Sequence, residues 1–309
     1  MSSTAFISHP TCLQHEMGEF HPESPHRIHA IQDALIQQGL ADFIQKVPSQ
    51  KVPINLLVKT HSHKHVDWIK QHSPSANHYY GIDDDTQMNQ YSFEASLYAA
   101  GAGVVALDGI FDNLFNNAFC AIRPPGHHAV KNTAMGFCLF NNIAVAATYA
   151  KEKYNIKKVA IIDFDVHHGN GTEDIVKDDP AILFCSSYQY PFYPFSIPEK
   201  AASNCLHFPM SAGTSSTEFR QCYAERIFPK LHTFQPELIL ISAGFDGHIS
   251  DPLAQWNLID EDYAWVTKAL MAIAKQYCDG KIVSFLEGGY SLPALSSGAT
   301  AHIRELMQR

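Results

Sequence analysis

The sequence lacks any CxxC cysteine pair and any run approaching the roughly 20 apolar residues that a membrane span requires. Its 7 cysteines are scattered along the chain, and this odd count predicts reduced thiols rather than a disulfide framework. The amino-terminal stretch MSSTAFISHPTCLQHEMGEF has neither a basic start nor a long apolar segment. We therefore expect a cytoplasmic protein with no leader and no membrane partner.

Basic residues are also scarce. The chain has 22 Lys and Arg against 31 Asp and Glu, which gives a formal net charge of -9. This balance disfavours nonspecific binding to the phosphate backbone of nucleic acids and mildly favours cationic substrates. We therefore expect no direct nucleic-acid partner.

No Ser/Gly linker, repeat, charge block or low-complexity segment marks a domain boundary. With 309 residues and 46% hydrophobic content, the chain is long enough for one large α/β domain or two smaller ones. The absence of a boundary favours one domain over residues 1–309.

Apolar, β-rich runs alternate with segments of helical period, which predicts βα units on a mostly parallel sheet. The predicted strands cover residues 5–8, 118–122, 158–165, 181–187, 238–246 and 281–289. The predicted helices cover residues 24–39, 93–111, 141–154, 215–234, 260–277 and 294–308.

The stretch AIIDFDVHHGNGT, residues 160–172, begins as a buried strand and ends in polar residues. Side chains alternate along a strand, so Asp163, Asp165 and His167 fall on one side at its carboxyl end. Ligands bind at that edge of open α/β sheets. The alternative is a helix cap, with Asn170 or Thr172 as the capping residue, but a cap explains one Asp and not three aligned polar groups.

Asp246 ends another predicted strand in the same way. Together, Asp165, His167 and Asp246 make a set of two carboxylates and one imidazole, which leaves metal positions open for water and substrate. Zinc suits this set, and oxygen-rich ligation also accepts iron(II) or cobalt.

Three further side chains could move protons or donate hydrogen bonds. His127 and His128 follow a rigid Pro-Pro-Gly turn, and imidazoles titrate near neutrality, which suits proton transfer. Tyr290 follows two glycines, where its phenol could donate to a developing oxyanion. The alternatives are ordinary loop histidines, in a chain with 18 of them, and a tyrosine that only packs.

Residues 186–203 have neither helical nor strand period and are rich in aromatics and proline. Loops of this length are usually functional or disordered, and the aromatics predict one wall of a binding groove.

The stretch HSHKH places His61, His63 and His65 at a spacing that resembles a metal cluster. Its continuation VDWIK has helical character, which would turn these side chains in different directions. We interpret it as the start of a surface helix, with metal binding as the minor alternative.

Five motifs occur in the order and with the chemistry of the histone deacetylase superfamily, resemble its class II and bacterial branch most, and are joined by a stretch that resembles the family's opening helix. The opening stretch is HPESPHRIHAI, and the five motifs, which with it are spread over nearly the whole chain, are RPPGHHA, GFCLFNNIAVAA, DFDVHHGNGT, SAGFDGHISDPL and LEGGY. The resemblance implies a single-domain arginase-deacetylase fold, with a central, mostly parallel sheet of about eight strands flanked by helices on both faces.

The resemblance also implies roles for individual residues. Asp165, His167 and Asp246 match the ligands of one catalytic zinc ion, and His127 and His128 match the family's tandem histidines. The implied partners of this pair are Asp163, which orients His127, and Asn170, which stands beside His128 where some members carry an Asp. Tyr290 matches the catalytic tyrosine.

Other matches concern the substrate and a second ion. The implied tunnel walls and rim are Gly136, Phe137, Tyr193, the gatekeeper Leu253, and Asp85 with a one-residue ambiguity toward Asp84. Arg27 matches an arginine near an internal acetate cavity. The implied structural potassium site uses the main-chain oxygens of Asp163, Asp165, His167 and Ser187 and the hydroxyl of Ser186.

The implied activity is metal-dependent hydrolysis of N-epsilon-acetyl-lysine in peptides or proteins. An acetylpolyamine deacetylase is the first alternative, although Leu253 stands where members specialised for polyamines carry Glu. A binuclear arginase-like hydrolase is the second, although His248 and Gly169 stand where its extra acids are needed. The third is a binding module for acylated partners without turnover.

Overall fold

Strands and helices alternate along the chain in the computed structural model, which describes residues 3–195 and 201–308. The strands are β1 (Thr4–Ser8), β2 (Gln45–Pro48), β3 (Tyr80–Gly81), β4 (Gln87–Met88), β5 (Asn117–Cys120), β6 (Val159–Asp163), β7 (Ile182–Gln189), β8 (Cys205–Met210), β9 (Leu238–Ala243) and β10 (Ile282–Leu286). The helices are α1 (His26–Gln37), α2 (Ile54–Thr60), α3 (His63–Gln71), α4 (Ser92–Phe111), α5 (Asn142–Tyr154), α6 (Asn170–Val176), α7 (Ser216–Cys222), α8 (Phe228–Phe234), α9 (Asp260–Tyr277) and α10 (Leu292–Leu306).

Eight of these strands form one sheet in the order β2-β1-β5-β10-β9-β6-β7-β8. Every neighbouring pair is parallel, as the alternation of strands and helices predicts. β3 and β4 form a separate antiparallel pair. The carboxyl ends of all eight strands therefore meet at one edge of the sheet.

Helices cover both faces of the sheet, and alternate residues of each strand contribute to different cores. On β6, Ile162 belongs to the core that also contains residues of α1, α9 and α10, whereas Ile161 belongs to the core under α4 and α5. Burial on both faces explains why the central strands are apolar throughout. The predicted fold, an eight-stranded parallel sheet between two helical layers, is confirmed.

The edge strands β2 and β8 are absent from the sequence-based assignment. Each contains a proline, Pro48 and Pro209, and proline is tolerated in a sheet mainly at its edges. Their mixed polar and apolar composition also gives no continuous hydrophobic run. The predicted helix over 215–234 is instead α7, a π-helical segment (Tyr223–Ile227) and α8. Pro229 lies in the first turn of α8 and has no N–H to donate to a carbonyl oxygen of the preceding turn. This missing hydrogen bond accounts for the interruption of the helix before α8.

α4 is long and apolar enough to cross a membrane by length and composition, which the inspection of apolar runs did not anticipate. Within the protein, however, 67% of its most apolar window is buried. Core helices of soluble proteins meet the same criterion. α4 contributes Ala99, Ala102 and Ala106 to the core that it shares with α5.

Candidate metal and catalytic site

Polar side chains converge where the central strands end. β10, β9 and β6 are neighbours in the sheet, and the loop after each carries residues of the predicted site. The loop after β6 carries Asp165 and His167, the loop after β9 carries Asp246, and the loop after β10 carries Tyr290. The strand β6 ends at Asp163 rather than at 165, so Asp165 and His167 lie in the loop and not on the strand.

Asp165, His167 and Asp246 form a compact trio, which we call the metal trio. Nδ1 of His167 lies 3.1 Å from Oδ1 of Asp165 and 3.1 Å from Oδ2 of Asp246. One ligand atom from each residue lies within 4.8 Å of the other two, a spacing that could hold a metal ion. The structure therefore brings together the three residues predicted as metal ligands.

Main-chain groups hold the two carboxylates in place. The N–H of Gly288 donates to Oδ2 of Asp165 at 2.8 Å, and the N–H of Val166 donates to Oδ1 of Asp246 at 3.1 Å. A Cβ atom at Gly288 would lie 2.0 Å from Oδ2 of Asp246. Only glycine allows the β10 loop to approach both carboxylates this closely.

The metal trio concentrates charge in a buried place. Burial and the neighbouring Asp165 raise the pKa of Asp246 to about 7. Burial opposes the charged form of His167, but Asp165 and Asp246 raise its pKa to about 10. Two carboxylates that share one imidazole match the donor chemistry and charge demand of a divalent cation.

The two adjacent histidines have different partners. His127 Nδ1 lies 3.0 Å from Oδ2 of Asp163, whereas His128 Nδ1 lies 2.7 Å from Oδ1 of Asn170. Burial disfavours the charge on His127, but Asp165, Asp163 and Glu287 raise its pKa to about 10. Burial, reinforced by the charge on His127, lowers the pKa of His128 well below its usual value. Their surroundings therefore favour a charged His127 and a neutral His128.

Sequence reasoning missed Glu287, which anchors the turn before the histidine pair. Its Oε2 accepts hydrogen bonds from the N–H groups of Gly126 at 2.7 Å and His127 at 3.1 Å. Burial raises the pKa of Glu287 to about 7. The signal was present, because LEGGY contains a charged residue directly after a buried strand.

Tyr290 lies beside the metal trio and packs against the cleft wall. Its ring meets that of Phe137 edge-on, with centroids 5.8 Å apart, and the guanidinium of Arg27 lies 5.2 Å from its centroid. Burial and the charge of Asp246 raise the pKa of the Tyr290 phenol well above its usual value. The phenol therefore stays protonated and can act as a hydrogen-bond donor.

A cleft of about 430 Å³ leads to this site. Its lining includes the buried His128, the metal-trio residue His167 and the predicted catalytic residue Tyr290. The predicted wall and rim residues that line it are Asp84, Asp85, Gly136, Phe137, Tyr193 and Leu253. Both acids of the ambiguous pair therefore face the cleft. Phe192, in the aromatic segment predicted as a groove wall, also lines the cleft, whereas sequence reasoning missed three lining residues, His21, Pro22 and Gln87.

Gly136 and Phe137 form a tight wall against the histidine pair. Gly136 has a φ of +55°, and a Cβ atom there would lie 2.6 Å from the ring of His128. Phe137 also has a positive φ, 68°, and its N–H donates to the Thr86 hydroxyl at 3.1 Å. The wall therefore depends on a positive φ, a backbone conformation that residues other than glycine rarely adopt.

The aromatic segment predicted as a groove wall is partly strand, because β7 continues to Gln189. Beyond it, Phe192 stacks on His167 with centroids 5.2 Å apart, and Tyr193 meets His128 edge-on at 5.1 Å. Residues 196–200 of this segment lie outside the described residues. The described part covers two of the site's imidazoles with aromatic rings.

The residues predicted to bind potassium lie together at the ends of β6 and β7. Asp163 pairs with Ser186 in the sheet, and the Ser187 hydroxyl donates to the main-chain oxygen of Asp163 at 3.4 Å. The Ser186 hydroxyl lies 3.1 Å from Nδ1 of His168. Potassium binding itself stays a prediction.

Arg27 is fully buried and forms an ion pair with Glu23, with Nη1 and Oε1 3.1 Å apart. It also donates to the main-chain oxygens of Gly289, at 2.7 Å from Nε, and of Glu287. Arg27 therefore ties α1 to the loop that carries Tyr290.

The interpretation of HSHKH as a surface helix start is wrong for two of its histidines. α3 does begin at His63, which is exposed, but His61 and His65 are buried. Nδ1 of His61 lies 3.1 Å from the Val130 oxygen, and Nε2 of His65 lies 2.9 Å from the Leu139 oxygen. His61, directly after α2, and His65, on α3, connect these two helices to the loop before α5, a long-range contact that helical period alone does not predict.

A family model described as "Histone deacetylase domain" matches residues 21–306 of the chain. The "Uncharacterized protein slr0245" of Synechocystis sp. is 37% identical over 98% of this chain and 99% of that protein. The "Polyamine deacetylase HDAC10" of Danio rerio is 31% identical over 92% of this chain, which spans 44% of that protein. The crystal structure of the HDA15 HD domain superposes with a TM-score of 0.93 and 34% identity, covering 100% of this chain and 90% of that chain.

Proposed function

The chain belongs to the histone deacetylase family, and we propose that it is a zinc-dependent hydrolase that removes acetyl groups from lysine side chains in peptides or proteins. The observation that carries this proposal is the cleft, which leads from the acidic residues Asp84 and Asp85 to His128, His167 and Tyr290. A cleft that is lined by His128, a residue of the metal trio and a phenol suits an amide on an extended side chain.

The residues present fit a zinc ion. Two carboxylates and one imidazole lie within 4.8 Å of one another, and this ligand set leaves positions open for other oxygen ligands. Iron(II) and cobalt accept the same donors. When bound, the metal supplies Lewis-acid chemistry that activates water and polarises a carbonyl group.

The protein's own residues supply the proton transfers. His128 lines the cleft and is hydrogen-bonded to the neutral amide of Asn170, so it is placed to take a proton from the attacking water. His127, paired with Asp163, lies behind it and stabilises negative charge near the reacting carbon. The histidine pair then returns a proton to the departing amine.

Tyr290 supplies the remaining interaction. Its protonated phenol can donate a hydrogen bond to the carbonyl oxygen as negative charge develops there. The packing of its ring against Phe137 and Arg27 limits its motion, so the donor is oriented before the reaction. Preorganised donors of this kind contribute most in sites from which water is excluded.

An acetylpolyamine is the second candidate substrate. The acidic mouth formed by Asp84 and Asp85 suits a cation, and the relative from Danio rerio is named as a polyamine deacetylase. Leu253 favours an acetyl-lysine peptide as the substrate. It lines the cleft and is neutral, so it cannot form an ion pair with a polyamine nitrogen. A binuclear arginase-like reaction is disfavoured, because Gly169 offers no ligand and His248 Nε2 faces Asp260 at 3.5 Å.

The experiment compares amine release from an acetyl-lysine peptide and from acetyl-spermidine, using zinc-loaded protein with and without a hydroxamate chelator. We expect faster turnover of the peptide and loss of turnover with the chelator. Faster turnover of acetyl-spermidine would show that the preferred substrate is an acetylpolyamine and not an acetyl-lysine peptide. Zinc-loaded protein that binds acetyl-lysine peptide without turning it over would support the binding module. The composition supports a cytoplasmic location, which fractionation of the source cells would test.

A further inference from the structure

A second group of metal-ligating side chains lies apart from the metal trio. We call it the β8 cluster: His168 in the loop after β6, Glu173 on α6 and His207 on β8. It shares no residue with the metal trio, and the proposed reaction does not use it. Among the described residues, these two groups have three His, Cys or acidic ligand atoms within 4.8 Å of one another.

The β8 cluster has nearly the same internal spacing as the metal trio. Nε2 of His168 lies 2.8 Å from Oε2 of Glu173, and Nε2 of His207 lies 3.0 Å from Oε1 of the same carboxylate. The corresponding contacts in the metal trio are both 3.1 Å. Two imidazoles and one carboxylate are also a zinc ligand set that leaves a fourth position open.

The outer nitrogens of both imidazoles have hydroxyl partners. Nδ1 of His168 lies 3.1 Å from the Ser186 hydroxyl, and Nδ1 of His207 lies 3.4 Å from the Tyr188 hydroxyl. Histidines that bind metals usually donate their second ring N–H to an oxygen, which fixes the ring and the tautomer. Both rings of the β8 cluster therefore direct Nε2 toward the shared carboxylate.

Burial makes the β8 cluster a defined site with one accessible side. The side chain of His168 is fully buried, that of Glu173 is 5% exposed and that of His207 is 13% exposed. Burial opposes ionisation of Glu173, but His168 and His207 lower its pKa to about 2. A buried carboxylate beside two imidazoles is a strong ligand set for a divalent cation, which can enter past His207.

We propose that the β8 cluster binds one divalent metal ion of the zinc type through Nε2 of His168, the carboxylate of Glu173 and Nε2 of His207. The ion joins the edge strand β8 to the loop that also carries His167. Its role is to stabilise this edge of the sheet, because among the described residues β8 has a sheet neighbour only on the β7 side. The competing explanation is that Glu173 simply accepts N–H hydrogen bonds from both imidazoles.

Metal binding is tested by equilibrium dialysis of metal-free protein against zinc, with metal analysis. We expect two tightly bound ions per chain in the wild type and one in His207→Asn. Asp246→Ala, which removes a ligand of the metal trio, should also retain one, and the matched control His63→Asn should retain two, because His63 is exposed. One ion in the wild type, or equal binding by wild type and His207→Asn, would overturn the proposal.

A second measurement separates lost binding from lost folding. In Asp246→Ala, cobalt(II) should give visible absorption bands of a low-coordinate site, and His207→Gln added to this variant should abolish them. Zinc should raise the melting temperature of Asp246→Ala by several degrees but not that of the double variant. Unchanged bands in the double variant would exclude His207 as a ligand. The proposed deacetylation can be tested independently of the β8 cluster, because His207→Asn leaves all three residues of the metal trio in place.

Discussion

The carboxylate of Asp251 accepts a hydrogen bond from the main-chain N–H of Tyr290, with Oδ2 and N 2.6 Å apart. The same oxygen accepts from the N–H of Ser291 at 3.1 Å, and Oδ1 accepts from the N–H of Leu253 at 3.0 Å. One buried side chain therefore sets the position of the phenol and of the gatekeeper together. Asp251 is a positioning residue that acts through both.

Replacing Asp251 should reduce turnover although the residue does not touch the substrate. Hydrogen bonds to a charged acceptor contribute roughly 1.5 to 3 kcal/mol, so Asp251→Ala should lower kcat by about tenfold to a hundredfold. Asp251→Asn keeps one acceptor oxygen and should retain more activity. Steady-state kinetics with an acetyl-lysine peptide checks this. Equal kcat in the wild type and both variants would remove Asp251 from the positioning of Tyr290.

Tyr290→Phe removes the phenol hydroxyl and keeps the ring that packs on Phe137. Loss of one oxyanion donor costs about 2.7 to 4 kcal/mol, so kcat should fall by about a hundredfold or more while KM changes little. The matched control is Tyr79→Phe, because Tyr79 is 48% exposed and does not line the cleft. A near-normal kcat for Tyr290→Phe would exclude the phenol from the reaction.

Leu253→Glu should shift the substrate preference toward acetylated polyamines, because it places a carboxylate in the cleft. The expected result is a higher ratio of kcat/KM for acetyl-spermidine over that for acetyl-lysine peptide. Leu253→Gln has a similar shape without the charge and should shift the ratio much less. If Glu and Gln change the ratio equally, the charge at this position does not select the substrate.

Three buried histidines should make the fold acid-sensitive. Burial, aided at His15 by Arg123 and at His61 by His65, lowers the pKa of His15, His61 and His302 to about 3. Because the folded pKa lies below the usual value of 6.5, their contribution to stability is complete above pH 6.5. It is lost as the pH falls from 6.5 toward 3, since protons then bind the unfolded chain first.

The free energy of unfolding of metal-free protein, measured in urea between pH 7 and pH 4, tests this expectation. It should decrease steadily through this range, and the decrease should be shallower in His302→Asn. His302 is a suitable site because Thr267 and Ser284 contact its two ring nitrogens at 2.6 and 2.8 Å. The exposed His63 serves as the control in His63→Asn. If the free energy of unfolding of His302→Asn falls with pH as steeply as that of the wild type, His302 does not contribute to the acid sensitivity.

Much of the architecture could be predicted from local pattern. The buried runs at β6, β9 and β10 are continuous and apolar, because parallel strands are covered on both faces. β8 lies at an edge, is partly exposed and carries His207 and Pro209, so it gave no such signal. The predicted element boundaries were wrong where a proline or a loop changed the backbone without changing the hydrophobic pattern. Examples are the end of β6 at Asp163 and the start of α8 near Pro229.

For the site, the residues found in advance were those close together in sequence or at strand ends, such as Asp165 and His167. Those missed act across long sequence separations: Glu287 bonds to the turn at Gly126, and Asp251 bonds to the loop at Tyr290. A charged residue after a strand, as in LEGGY, marks a candidate, but one sequence does not show which distant backbone group it bonds. The buried state of His61 and His65 was missed for the same reason.

The place of β10 in the sheet has a consequence for synthesis of the protein. Among the described residues it is the strand formed latest in the sequence, yet it lies between β5 and β9 and joins β2, β1 and β5 to β9, β6, β7 and β8. A nascent chain that ends before residue 282 therefore holds two separate half-sheets, each with an unpaired edge. Such a chain also lacks Gly288 and Tyr290, so the candidate site is completed only after Tyr290 has been synthesised.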